Sequence, residues 1–397
     1  MTPEEIIHRF GRVSPTLNLY PIENRLSDGA RSLLGSDLVS RYPKMSGPGY
    51  LYGDPSNVGD LYEECADLAR EYFQVDHALV HFLSGLHAMQ SMISTLSEPG
   101  ERIVSLGPDA GGHYATEQIC RDFGHDVGLL PFDSVDLRLD MDRLAELHRA
   151  SPSRFYYVDL STALRVPDME QMRNAVGSDA LICFDASHIL GLLPVVYDLP
   201  DLWRHISLCT ASTHKTFPGP QKAVMLSSDE KVAADMSEHL KFRVSSAHTN
   251  SVGALAVTFS ELMDSRQAYA RAVIANARRL AELLSDRGLR VVGEHFGFTE
   301  THQIWVLPPD DTQDPVDWGA QLQSCGVRAS VVHLPAQGTS GLRLGTQEIT
   351  RMGMDLDAMT EVADLTARAL GGGDPEIIRK EVEALTARYV TVQNDFA

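Results

Sequence analysis

Short apolar runs recur through the first half of the chain and alternate with stretches whose apolar positions repeat at helical spacing. The runs at 78–83, 102–106, 154–160, 180–185, 206–212 and 222–228 read as strands. They are nearly continuous rather than strictly alternating, the pattern of strands covered on both faces. From Asp60, Leu61, Cys65, Leu68 and Phe73 fall near one helical face. This alternation predicts an α/β layer with a mostly parallel sheet. A long amphipathic helix is predicted over 265–287, with Tyr269, Val273, Ala277, Leu280 and Leu284 near one face and Gly288 as its stop. Beyond it, RVVGEHF, HQIWVL, VRASVV and LRLG read as shorter strands, with one or two late helices, and predict a smaller α+β domain. Asn24, Pro43, Gly47, Pro48, Gly49, Gly53 and Pro55 punctuate the turn-rich start. The expected division is an N-terminal arm over 1–55, a large domain over 56–264, and a linker helix with a C-terminal small domain over 265–397. The chain shows no internal repeat or low-complexity tract.

Composition narrows the partners. The formal net charge of -20, with no basic block against it, argues against nucleic acid. No run of about 18 apolar residues suggests a membrane span. The start, MTPEEIIHRFGR, lacks the pattern of a secretion signal. Cys65, Cys120, Cys183, Cys209 and Cys325 are scattered, odd in number and without CxxC spacing, so neither a disulfide framework nor a zinc site is expected. Reduced thiols in a cytoplasmic protein fit that usage, and no metal is expected.

The chemistry sits where the apolar runs end. FDASH (184–188) and STHKTFPGPQK (212–222) each close a strand with a compact polar cluster. A lysine at such a place, Lys215, beside His214, suits pyridoxal 5'-phosphate (PLP), whose aldehyde needs a lysine amine. PLP also needs a carboxylate against its pyridine nitrogen, and Asp185 is the candidate; spacing alone leaves a turn-capping role equally open. SGLHAM (84–89) reads as a strand-to-helix turn at Ser84 and Gly85, where backbone N–H groups can cradle a phosphate. His113, in GGH (111–113), is either a ring-stacking residue or a satisfied loop histidine. Arg343, in GLRLG, lies on a short apolar strand, where a buried guanidinium needs a partner: a substrate carboxylate or a structural ion pair.

Taken together, THKTFPGPQK (213–222), DASHILGL (185–192), GGHYATE (111–117), GFTETHQ (297–303) and LRLGTQEITRMG (342–353) resemble, in order, the serine hydroxymethyltransferase family of fold-type-I PLP enzymes, in wording closest to its threonine transaldolases of natural-product pathways. The resemblance runs from about Leu17 to about Leu365. It implies a fold-type-I PLP-dependent transferase with the α/β large domain binding the cofactor. It also implies Lys215 as the cofactor lysine preceded by His214, Asp185 at the pyridine nitrogen and His188 near the phenolic oxygen. Ser84 and Gly85 fall at the phosphate, Ser161 beside the ring, and Arg343 on the substrate carboxylate. Tyr52 matches a tyrosine of the hydroxymethyltransferase RYYGG segment. The family implies homodimers with shared sites, to which the loop 245–251 would contribute.

The departures redirect the function. The hydroxymethyltransferase segment that carries an acid/base glutamate is here YPKMSGPGY (42–50), without an acid. HGGH becomes AGGH, with Ala110 in place of the stacking histidine, SEN becomes IEN at Ile22, and the GGQGGP loop is absent. Folate-dependent exchange is therefore not expected. The expected reaction is aldol-type cleavage and formation of a Cα–Cβ bond in an α-amino acid such as threonine, with a second aldehyde as partner. Tyr42, Tyr52, His113 or a water remains to move the β-hydroxyl proton. The rival is an O2-using oxidase or monooxygenase-decarboxylase on the same fold, and a remoter one is a PLP-binding protein without catalysis.

Overall fold

A computed structural model describes residues 2–10, 15–41, 58–310 and 313–396. Tyr42 and Tyr52 lie outside them.

Seven strands form the main sheet: β1 (His77–Leu79), β2 (Arg102–Ser105), β3 (Asp126–Leu129), β4 (Phe155–Asp159), β5 (Leu181–Asp185), β6 (Leu208–Ser212) and β7 (Ala223–Ser227). Their order is β1-β7-β6-β5-β4-β2-β3. All pairs are parallel except the two that involve β7, which runs against both β6 and β1. Every residue of β4, β5, β6 and β7 is buried apart from Leu181. That double covering is why these strands are legible as unbroken apolar runs. The run at 78–83 is strand only to Leu79; the remainder extends towards α2 (Gly85–Leu96). β3 was not anticipated. It is an edge strand of Asp126, Val127, Gly128 and Leu129 with one buried residue, so its sequence carries no apolar run.

Alternate residues of the sheet feed two cores. Tyr156, Val158, Ile182 and Phe184 pack with α1 (Val58–Phe73) and α3 (Thr249–Leu262). Phe155, Tyr157 and Cys183 face α2 on the other side. A third core gathers around a four-stranded antiparallel sheet, β8 (Arg290–Val291), β9 (Gln303–Leu307), β10 (Ser330–His333) and β11 (Ser340–Gly345), in the order β8-β9-β11-β10. RVVGEHF is therefore mostly not strand: after β8 the chain makes a 3-10 turn at Glu294–Phe296. The long helix, α4 (Arg266–Asp286), bridges the cores. Tyr269, Ala270, Val273 and Ile274 are buried in the large one, and Ala277, Leu280, Ala281 and Leu284 in the small one. The N-terminal arm joins the small core through Leu17 and Leu19, with Leu17–Asn18 paired in parallel to Val327–Arg328. Two late helices, α5 (Ala358–Leu370) and α6 (Pro375–Thr386), complete it. No helix among the described residues is long and apolar enough to cross a membrane.

Candidate active site

Parallel strands deliver their carboxyl ends to one edge of the sheet, and polar residues that end apolar runs meet there. A cavity of about 190 Å³ at that edge is lined by Ser84, Gly85, His113, Ser161, Asp185, His188, His214 and Lys215, together with Asp159, Ser187 and Ser212. Of the eleven site residues expected from the sequence, Tyr42 and Tyr52 lie outside the described residues; of the other nine, Ser84, Gly85, His113, Ser161, Asp185, His188, His214 and Lys215 line this single space and Arg343 does not.

Lys215 lies in the loop between β6 and β7. Its Nζ donates to Ser212 Oγ at 2.7 Å. Burial lowers its pKa to about 8, against the raising effect of Asp185. Lys222 is also brought to about 8 by burial, but its Nζ is turned to the Ala247 carbonyl at 2.7 Å, and it does not line the cavity. Of these two amines, Lys215 is the one that faces the cavity. Its backbone is held from the N-terminal arm: Asn24 Nδ2 donates to the Lys215 carbonyl at 2.7 Å and to Tyr269 Oη at 3.0 Å. Tyr269 O–H in turn donates to the Thr216 carbonyl at 2.7 Å.

Asp185 ends β5. Its Oδ1 accepts the Ser187 N–H at 2.8 Å and its Oδ2 the Tyr157 O–H at 3.1 Å. Both oxygens retain a lone pair for a further donor, which fits a pyridine N–H. His188 is buried, with Nδ1 3.3 Å from Gln303 Nε2 and its ring stacked on His302 at 6.0 Å. Burial, and then the charges of Lys215 and Arg343, keep His188 neutral well below the usual histidine range. His214 is lowered to about 4 by burial and Lys215, and its Nδ1 is buried without a partner.

Ser84 caps α2: its Oγ accepts the His87 N–H at 3.2 Å. The glycine that follows has little room for more. A Cβ at Gly85 would sit 3.1 Å from Ser187 Oγ and 3.3 Å from Ser212 Cβ. The helix N-terminus is thus brought against the strand ends, with Ser84, Gly85 and Leu86 lining the cavity, a position suited to an anion. The GGH turn needs its glycines too. A Cβ at Gly111, where φ is 95°, would lie 2.2 Å from the Thr162 carbonyl oxygen, and one at Gly112 would lie 2.0 Å from that of Leu106. That turn carries His113, whose pKa burial lowers.

Arg343 reaches the site from β11. It is 6% exposed, and its Nη1 donates to the Ser161 carbonyl at 2.9 Å and to Thr162 Oγ1 at 3.0 Å. Its Nε has no hydrogen-bond partner, and among the described residues it makes no ion pair. Burial brings its pKa down to about 10. A buried cation left with free donors matches a missing carboxylate. The structural ion pair considered from the sequence is absent among the described residues.

The residues present therefore fit PLP: an amine, a strand-end carboxylate with spare lone pairs, a capped helix N-terminus, and an unpaired guanidinium. Sequence reasoning missed Tyr157, Asp159, Ser187, Ser212, Asn24, His302 and Gln303. His302 and Gln303 stood in the GFTETHQ motif without a role. Tyr157 and Asp159 were absorbed into an apolar run, where only their polar atoms signalled more than core.

The family model described as serine hydroxymethyltransferase matches residues 4–366. Fluorothreonine transaldolase of Streptantibioticus cattleyicolor is 36% identical over 392 residues, covering 95% of this chain but 61% of that protein. This chain therefore spans less than two thirds of that relative's length. Serine hydroxymethyltransferase of Methanopyrus kandleri is 34% identical over 386 residues, covering 94% of this chain and 90% of that one. Among solved structures, L-threonine transaldolase from Pseudomonas fluorescens in its internal aldimine state superposes with a TM-score of 0.89 at 26% identity, covering 96% of this chain and 90% of that one.

Proposed function

The chain belongs to the serine hydroxymethyltransferase family, and on that premise we propose that it breaks and remakes the Cα–Cβ bond of a β-hydroxy α-amino acid as a threonine transaldolase-like enzyme independent of folate. It is a PLP-dependent transferase of fold type I. When bound, PLP supplies an electron-withdrawing ring to the amino acid's Cα, so the bond to Cβ can open, release an aldehyde and close on another.

The residues divide the work. Lys215, whose pKa burial lowers to about 8, would hold the cofactor at its aldehyde and would be the amine placed to move protons beside the substrate's Cα. Asp185, oriented by Tyr157 and Ser187, accepts the pyridine N–H. Ser84 and the N–H groups of α2 that follow it hold the phosphate. Ser161, His188 and His214 line the ring. Arg343 binds the substrate carboxylate with its free donors. His113, neutral and at the cavity wall, takes the β-hydroxyl proton. Tyr42 and Tyr52 lie outside the described residues and remain its competitors for that step.

The proposal extends to organisation. The arm, large domain and small domain divide near residues 55 and 264, with α4 as linker, and the enzyme is a cytoplasmic homodimer. The loop 245–251 serves the neighbouring subunit's site. Supporting this, Lys222 fixes that loop through Ala247, and His248 within it is held at a φ of 53°.

The observation that carries the reading is the meeting of Lys215, Asp185 and the capped helix end in one cavity. The test gives the purified holoenzyme threonine with an aromatic aldehyde and measures acetaldehyde release, oxygen uptake and peroxide. Acetaldehyde release without folate and without oxygen uptake is expected. Oxygen consumption with peroxide, and no acetaldehyde, would replace the reading with the oxidase one.

A further inference from the structure

Asp159 is the last residue of β4 and stands in register with Asp185 of β5. Both carboxyls line the cavity, and Asp159 is 2% exposed. Asp159 Oδ2 accepts the His113 N–H at 3.0 Å and the Thr116 O–H. Its Oδ1 is buried and has no partner, and Asp159 makes no ion pair among the described residues. Burial, with Asp185 as the neighbouring charge, pushes its pKa well above the carboxylate range, against the lowering effect of its two donors. The two strand-end carboxyls thus have different surroundings. Asp185 has the cation Lys215 acting on it and a place for a pyridine N–H; Asp159 has only neutral donors from one turn.

That turn bears His113. It is tied twice to β4 and the segment that follows it: by Gly111, whose carbonyl accepts the N–H groups of Ser161 at 3.0 Å and Thr162 at 2.9 Å, and by the carboxyl of Asp159, the last residue of β4. The first tie sets where the turn begins. The second sets His113 itself, together with Thr116, the first residue of the following helix. We propose that Asp159 is a positioning residue that clamps the 111–116 turn as the shared acceptor of the His113 N–H and the Thr116 O–H, and so fixes the His113 side chain on the cavity wall. The proposal rests on the PLP reading above. It adds a residue to the site.

Asp185 stands at the adjacent strand end, so a neutral acceptor at position 159 would hold the same turn without a second negative charge there. An amide of the same shape should then serve, whereas removal leaves a buried N–H and a buried O–H without an acceptor. The experiment compares D159N, D159A, H113A and D159A/H113A as holoenzymes. It records the visible circular dichroism of the bound cofactor, kcat, the site of borohydride labelling, and thermal melting of the apoproteins.

D159N is expected to keep the wild-type dichroism and a kcat within about threefold. D159A is expected to keep label on Lys215, change the dichroism and lose at least about tenfold in kcat. In the H113A background, Asp159→Ala should cost nothing more, because its effect passes through His113. Additive losses in the double variant, or a D159N loss of about tenfold or more, would overturn the proposal, and the D159N measurement stands even if D159A fails to fold. Label absent from Lys215 in the wild type would overturn the PLP reading itself, a result distinct from the other two.

Discussion

Replacing Arg343 with lysine isolates the geometry of substrate capture from its charge. Arg343 is buried, its Nη1 is committed to Ser161 and Thr162, and its Nε is free. A carboxylate docking there gains donors in a fork that an ammonium cannot reproduce. A lysine that keeps the charge but loses one charge-assisted hydrogen bond gives up roughly 1.5–3 kcal/mol, which is about ten- to a hundredfold in amino-acid affinity. The lysine also loses the anchor on the Ser161 carbonyl, so the lower figure is the floor. PLP affinity should hardly change, because Arg343 comes from β11 of the small sheet, whereas the helix end proposed for the phosphate is α2, against the main sheet. The assay is titration of holoenzyme with threonine, followed by visible absorbance, in wild type and variant. Equal dissociation constants would mean that the carboxylate is held elsewhere and that the free Nε has another purpose. A parallel loss of PLP affinity would show that the substitution disturbs the whole site rather than one contact.

Lys215→Ala should abolish borohydride-fixed cofactor and turnover, as read by peptide mapping; label on Lys222, the other buried amine near pKa 8, would contradict the geometry that separates them. Asp185→Asn should keep PLP bound through the helix end while lowering kcat at least about a hundredfold, since a buried ion pair would lose one partner; near-normal turnover would remove Asp185 from its role. The rate of PLP incorporation into apoenzyme should rise as pH increases through about 8 and then level off, because only the neutral Lys215 amine reacts and burial has lowered its pKa to that value. The same shift makes the apoprotein's stability from this group greatest above the unfolded lysine pKa and lost as pH falls through about 8, which an apoprotein melting series against pH would record.

Much of the architecture and part of the site were legible in the amino-acid sequence. Strands buried on both faces need apolar residues at every position, so β4, β5, β6 and β7 appear as runs whatever they pair with. Where such a run ends in polar residues, a parallel sheet sends them all to one edge. Ser84, Asp185, His188 and Lys215 could therefore be grouped before any distance was known. Local pattern does not extend further. β3 carries no apolar signature because one residue of it is buried at the sheet's edge. Tyr157 and Asp159 look like core because alternation along a strand says which face a side chain takes, not what it meets there. The hold of Asn24 on the Lys215 carbonyl joins positions far apart in the chain, and only tertiary packing sets that approach. The same holds for the choice between Lys215 and Lys222. Both lie in the loop between β6 and β7 with amines brought to about the same pKa, and the direction of the side chain, into the cavity or towards Ala247, is decided by packing around the loop rather than by residue type. The sequence by itself determined which chemical groups the chain possesses and at which edge of the sheet they gather; the tertiary structure decided which of them face one another, because hydrogen-bond geometry and desolvation depend on neighbours that no local pattern contains.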